Sequence, residues 1–236
     1  MADTYAAVVF DFFGTLTSAM PRSPVIPRVA RVLGCDPVAF TVLLDRTYPA
    51  RVRGELGDAR HAMRWIAWRL GRSPSPAQVS EAVRLRTDGI RRGLRLRPDA
   101  ICTLWTLRSL GVRTGLVSDC TDEVPPLVAQ LPVARLLDAT VFSIHLGIGK
   151  PDVEVFLTAS HRLGVAPARC LYVGDGDGRE LSGARTAGMT PVRLVAPDLT
   201  AHMVFDPEPS WTGYTVATLG AVVDLAFPGA ILDSWA

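Results

Sequence analysis

The feature that most constrains this 236-residue chain is a rhythm that runs from Pro98 to Val195. Short apolar runs at Thr114 to Val117, Thr140 to Phe142, Cys170 to Val173 and Val192 to Val195 are bounded by Gly, Pro, Ser or Asp, as buried strands are. Helical apolar spacing fills the intervals, over Asp99 to Leu110, Glu123 to Leu131, Val153 to Leu163 and Arg179 to Ala187. Strands alternating with helices predict a parallel sheet with helices on its faces, because parallel neighbours need a crossover between them. A further valine-rich run, Ala6 to Phe10, ends at Asp11 and adds a first strand.

From about Thr17 to Arg97 the rhythm breaks. Apolar residues there keep helical spacing in Val38 to Leu44, Ala62 to Leu70 and Val79 to Ile90, with prolines 21, 24, 27, 74 and 76 marking the connections. The fold expected is therefore α/β: a Rossmann-like parallel sheet core of residues 1–16 and 98–236, flanked by helices, with a helical cap, 17–97, inserted after the first strand. Ligands of open α/β sheets bind beyond the carboxyl ends of the strands, so such an insert lies over that site as a lid. The tail after Pro197 carries Trp211, Tyr214 and an apolar helical pattern from Thr218 to Ala226, read as packing against the core.

Charge excludes some partners. The 25 basic and 23 acidic residues give a net charge of +2 and are spread along the chain, so no basic stripe for nucleic acid forms, while small anionic substrates stay open. No apolar run approaches the roughly 20 residues of a membrane span, and the run before Asp11 lacks a basic flank; neither a signal peptide nor a membrane anchor is expected. Cys35, Cys102, Cys120 and Cys170 stand alone, which suits free thiols in a reducing cytoplasm. His61, His145, His161 and His202 show no metal spacing and are read as structural or surface residues, and Trp65, Trp68 and Trp105 as packing residues. A monomer or a homodimer is expected.

Four segments at strand ends carry chemistry. Asp11-Phe12-Phe13-Gly14-Thr15 sets a carboxylate at the end of a buried strand before a glycine that permits a tight turn. Such a carboxylate is a candidate nucleophile or a turn cap. Val117-Ser118-Asp119 ends the next strand with a hydroxyl that either donates to a phosphoryl oxygen or caps the following helix. Gly149-Lys150-Pro151-Asp152 contains the only lysine of an otherwise arginine-based chain, placed to neutralise a carboxylate and a transferred phosphoryl group. Gly174-Asp175-Gly176-Asp177-Gly178-Arg179-Glu180 supplies three carboxylates, enough for a hard cation such as Mg2+, or forms a glycine-rich turn.

In order and spacing these segments resemble the haloacid dehalogenase superfamily over Ala6 to Val195, in its phosphatase-like branch, with the insert where that family carries its cap. The resemblance implies a hydrolase with Asp11 as nucleophile, Ser118 as phosphoryl-contacting hydroxyl and Lys150 as the charge-neutralising lysine. It implies Mg2+ held by Asp11, the backbone carbonyl of Phe13, Asp175 and Glu180, with Gly14, Thr15, Asp119 and Arg46 as substrate-binding candidates. Asp177 reads as an extra turn residue. Arg51 is a second candidate in the insert for a substrate carboxylate.

One position departs from the pattern. Phosphatases of this family carry a second aspartate two residues after the nucleophile, where this chain has Phe13. General acid–base assistance is worth about 10²- to 10⁴-fold, so a substrate with a good leaving group suits this chain best. The expected function is Mg2+-dependent phosphoryl hydrolysis of a small anionic metabolite through an aspartyl intermediate. The alternatives are a 2-haloacid dehalogenase, which resembles this chain at Phe13 but carries Ser and Asn in place of the Asp175 segment, and a catalytically degenerate domain that keeps the pocket for binding. A phosphonate-cleaving relative needs a cap lysine, and this insert has none.

Overall fold

The computed structural model describes residues 5–208 and 210–228; the outermost parts of the expected core segments, 1–4 and 229–236, lie outside the described residues. Strands β1 (Ala7–Phe10), β2 (Arg113–Ser118), β3 (Ala139–Phe142), β4 (Cys170–Gly174), β5 (Thr190–Leu194) and β6 (Tyr214–Val216) form one parallel sheet in the order β3-β2-β1-β4-β5-β6. Central β1 is buried on both faces, which is why its sequence is a continuous apolar run and not an alternating one. Val8 and Phe10 pack on one side with Leu104 and Leu107 of α6 (Ala100–Ser109) and Val222 and Val223 of α11 (Ala221–Ala226). Ala7 and Val9 pack on the other with Phe156 and Ala159 of α9 (Val153–Leu163) and Leu181 of α10 (Glu180–Thr186). Each such side chain contributes about 1.5–3 kcal/mol on burial.

Five helices fill the insert between the turn after β1 and α6: α1 (Ile26–Val32), α2 (Pro37–Arg46), α3 (Tyr48–Val52), α4 (Ala59–Arg69) and α5 (Pro76–Gly93). The starts of α2, α4 and α5 are fixed by side-chain caps: Asp36 accepts from the amides of Val38 and Ala39, Asp58 from that of His61, and Ser75 forms a reciprocal capping box with Gln78. Phe40, Met63, Ile66, Val79 and Leu85 make an apolar cluster of their own. The chain leaves and returns side by side, with Ser18 N–H donating to Arg95 C=O at 2.8 Å and Arg97 N–H to Leu16 C=O at 2.9 Å. Among the described residues no helix is long and apolar enough to cross a membrane.

Three expectations change. β6 extends the sheet where the sequence promised only packing; two of its three residues are exposed, so no hydrophobic period marks it. Helix α7 is short, Val124–Val128, and gives way to a tighter turn at Pro132–Leu136. Trp68 and Trp105 are 64% and 60% exposed, while Trp65 is half-buried on the insert's cluster. On α6 the inward face belongs to Ala100, Leu104 and Leu107, which turns Trp105 outward.

Candidate active site

Register brings the functional segments together. Phe10 pairs with Leu116 on one side and Val173 on the other, so Asp11, Ser118 and Asp175 all emerge at the same edge of the sheet. The Asp11 N–H extends the ladder by donating to Val173 C=O at 2.8 Å. After Asp11 the chain turns at Gly14, whose φ is +77°; a Cβ there would lie 2.6 Å from Asp175 Oδ2, so both the turn and the close approach require glycine. Arg97 clamps this turn from the returning crossover, donating from Nη2 to Gly14 C=O at 2.7 Å and from Nε to Thr15 C=O at 3.0 Å.

At the floor lies a buried ionic network. Lys150 Nζ donates to Asp11 Oδ1 at 2.6 Å and to Glu180 Oε2 at 2.5 Å. Its backbone is positioned by Asp119, whose Oδ1 accepts from Lys150 N–H at 3.1 Å. Glu180, fully buried at the start of α10, also accepts from the Tyr172 hydroxyl at 2.8 Å and from Gly176 N–H at 2.9 Å. Asp175 Oδ1 accepts from Asp177 N–H at 3.1 Å, and its Oδ2 lies 3.5 Å from His202 Nε2. Because His202 Nδ1 accepts from Met20 N–H at 2.8 Å, the ring carries its proton on Nε2, facing Asp175.

Burial governs the electrostatics. It pushes the Asp11 carboxyl up to about 6 against the pull of Lys150, and the Asp175 carboxyl up to about 7 with Glu180 adding to the rise. Glu180 is pushed up to about 7 by the same burial. Burial also disfavours the Lys150 ammonium, but the facing carboxylates of Asp11 and Glu180 outweigh it and hold its pKa above the ordinary value. Three carboxylates thus share one ammonium. Asp11, Asp175 and Glu180 each offer an oxygen within 4.8 Å of the others, an all-oxygen set of the kind that holds a hard divalent cation. Both oxygens of Glu180 are already hydrogen-bonded, which leaves Asp11 and Asp175 the freer ligands. Ser118 Oγ at the end of β2 and Thr15 Oγ1 in the turn after β1, neither of them on the cavity lining, are buried without a hydrogen-bond partner, an arrangement that costs stability.

Above the floor opens a cavity of about 290 Å³, lined by Asp11, Phe13, Asp119 and Lys150 from below and by Tyr48, Arg53, Arg86 and Ile90 from the insert. Arg46 is not part of it. The inward face of α2 is taken by Phe40 and Leu44, which turns Arg46 to solvent. Arg51 is buried elsewhere in the insert, donating to Leu44 C=O at 2.9 Å. Sequence reasoning missed Arg53, Arg86, Tyr48 and Tyr172, and read His202 as structural or surface; only its placement beside Asp175 reveals it. Asp177 is a turn residue with a second task. Its Oδ1 accepts from the amides of Gly178, Phe205 and Asp206, which ties the segment after β5 to the rim of the cavity. Burial raises the Cys120 thiol, consistent with an unreactive cysteine.

Comparison with known proteins agrees with this layout. The family model for haloacid dehalogenase-like hydrolases matches residues 5–188. A glyceraldehyde 3-phosphate phosphatase of Methanopyrus kandleri is 34% identical over 128 residues, 53% of this chain and 54% of that protein; the chain spans about half the length of the phosphatases of this name that it matches. An (S)-2-haloacid dehalogenase 4A of Burkholderia cepacia is 28% identical over 213 residues, 82% of this chain and 84% of that one. In fold the chain is similar to a 2-haloacid dehalogenase of Pseudomonas syringae pv. tomato DC3000, at a TM-score of 0.66 and 20% identity, covering 94% of this chain and 97% of the other. A buried carboxylate at a strand end, a lysine bridging two acids and a match across most of the chain converge on one conclusion: this protein belongs to the haloacid dehalogenase-like hydrolase family.

Proposed function

We propose that the protein is a Mg2+-dependent phosphatase acting on a small anionic substrate, with residues 17–97 serving as a cap over a core of 1–16 and 98–236. The observation that carries this reading is the surplus of buried negative charge on the floor, where Asp11, Asp175 and Glu180 face a single ammonium. Displacing a halide from carbon needs a carboxylate nucleophile and no cation. Attack on an already anionic phosphoryl group needs positive charge around it. Asp11 Oδ2 and Asp175, with the Phe13 carbonyl, would hold Mg2+, while Glu180 holds Lys150 in place. When bound, the cation offsets charge on the nucleophile and on the phosphoryl oxygens.

In this reading Asp11 attacks phosphorus to form an aspartyl phosphate. Lys150 steadies the developing charge, the unpartnered hydroxyls of Ser118 and Thr15 donate to phosphoryl oxygens, and the backbone around Gly14 and Asp119 shapes the seat. Phe13 supplies no proton, so compounds whose leaving group departs as a stable anion are favoured. The Phe13 ring favours the second reading, a 2-haloacid dehalogenase, as does the longer match to the Burkholderia cepacia protein.

Turnover of para-nitrophenyl phosphate and acetyl phosphate, with Mg2+ and with EDTA, tests the proposal alongside chloride release from 2-chloropropionate. Phosphate release that depends on Mg2+ and falls by at least about 10³-fold in Asp11→Asn is expected. Metal-independent chloride release with no phosphate release would select the dehalogenase.

A further inference from the structure

The cavity wall above Asp11 differs from its floor in one respect that bears on the substrate. Six separate segments each contribute an apolar side chain to it: Phe13, Met20, Val52, Ile90, Val124 and Met203. They come from the turn after β1, the outgoing crossover, α3, α5, α7 and the segment after β5, so no single helical stripe accounts for the patch. Of the two arginines that reach the cavity, one is held inside the protein and the other lies at the edge. Arg86 Nη1 pairs with Glu123 and its Nη2 donates to Thr121 Oγ1 at 3.3 Å, while Arg53 stands at the rim, its side chain 44% exposed and 3.9 Å from Glu55. Asp119, Asp177 and Asp206 line the same space and repel a second anion.

We propose, resting on the phosphatase reading, that this chamber seats the leaving group and selects a hydrocarbon one: the preferred substrate is a phosphoryl compound with an apolar, weakly basic leaving group, of the acyl phosphate class. A second carboxylate placed there loses its water beside the carboxylates of Asp119, Asp177 and Asp206, which costs binding. The volume of about 290 Å³ lies at the small end of ligand sites, about 300–1,000 Å³, and so holds a phosphoryl group and a few carbons.

The chemistry balances without an acid. Asp11 bonds to phosphorus as the bond from phosphorus to the acyl oxygen breaks, and the electron pair leaves on the carboxylate. Water then attacks phosphorus, the bond to Asp11 breaks with its pair returning to the aspartate, and both water hydrogens leave on phosphate as dihydrogen phosphate.

Acetyl, butyryl and succinyl phosphate test this, because their leaving carboxylates are similar in basicity and differ in body. Each buried methylene is worth about fourfold, so kcat/KM is expected to rise on the order of tenfold from acetyl to butyryl phosphate and to fall below the acetyl value for succinyl phosphate. Ile90→Asn is expected to flatten the acetyl-to-butyryl ratio, a readout independent of its absolute rate. A flat series in wild type, or preference for succinyl phosphate, would overturn the inference while Mg2+-dependent turnover of para-nitrophenyl phosphate left the phosphatase reading standing. Absence of that reference turnover would overturn both.

Discussion

On the floor of the cavity, charged atoms lie within hydrogen-bonding reach of one another and are held there by further hydrogen bonds: Asp11 by the β4 ladder, Lys150 through the Asp119 carboxylate, Glu180 by the Gly176 amide and the Tyr172 hydroxyl. Across the cavity the roof is joined to the core by a few separable contacts. Tyr48 donates its hydroxyl to Asp119 C=O at 3.2 Å and stacks on Phe205 with ring centroids 3.8 Å apart, and Arg86 pairs with Glu123. The floor is arranged before any substrate arrives, as electrostatic stabilisation requires. The roof is held by discrete side-chain contacts, the buried Arg86–Glu123 pair the strongest of them, and entry to a covered site requires that such contacts part.

Substitutions on the two sides sharpen or break this contrast. Lys150→Met strands two buried carboxylates and is expected to cost about 3–5 kcal/mol of unfolding free energy by chemical denaturation at neutral pH. Arg86→Met leaves Glu123 buried and alone at the roof junction, with an expected loss of about 3 kcal/mol by the same measurement. Tyr48→Phe keeps the stack and removes one hydrogen bond, for about 1 kcal/mol. Should Tyr48→Phe cost as much as Lys150→Met, the distinction between a fixed floor and a separable roof fails.

The smallest expected effect lies where the chain departs for the insert. Asp198 accepts from Ala19 N–H at 2.7 Å and from Arg97 at 3.0 Å. Partial burial works to raise its carboxyl, but the Ala19 amide and Arg97 outweigh it and hold the pKa below the ordinary 3.8. A depressed carboxylate stabilises the fold above its unfolded value and loses that contribution as pH falls through the folded one. Asp198→Asn should therefore lower stability by about 0.5 kcal/mol at pH 7. The difference between the thermal curves of variant and wild type should close below about pH 4.

The same contrast decides what the sequence discloses. Strands β1 to β5 and the floor residues are legible because a buried strand must be apolar along its length and must end where its polar residues begin. Asp11, Ser118 and Asp175 sit at those ends, while Lys150, which follows a short helix (Ser143–Leu146) after β3, is legible as the only lysine. The roof is written in no such code. Arg46 has the right charge but the wrong helical phase, while Arg53, Arg86 and Phe205 reach the cavity only through the way α3, α5 and the post-β5 segment pack. His202 carries no spacing signal, since its partners Met20 and Asp175 lie far from it along the chain. β6 escapes for a simpler reason: a short edge strand with two exposed residues resembles any loop.

The single lysine has a consequence for handling the molecule. Acylating reagents attack the neutral amine, and Lys150 is both 8% exposed and held as an ammonium between two acids. Toward such a reagent the folded chain offers no reactive side-chain amine. A mass increment on the peptide that contains residue 150 therefore counts the molecules whose chamber has come open.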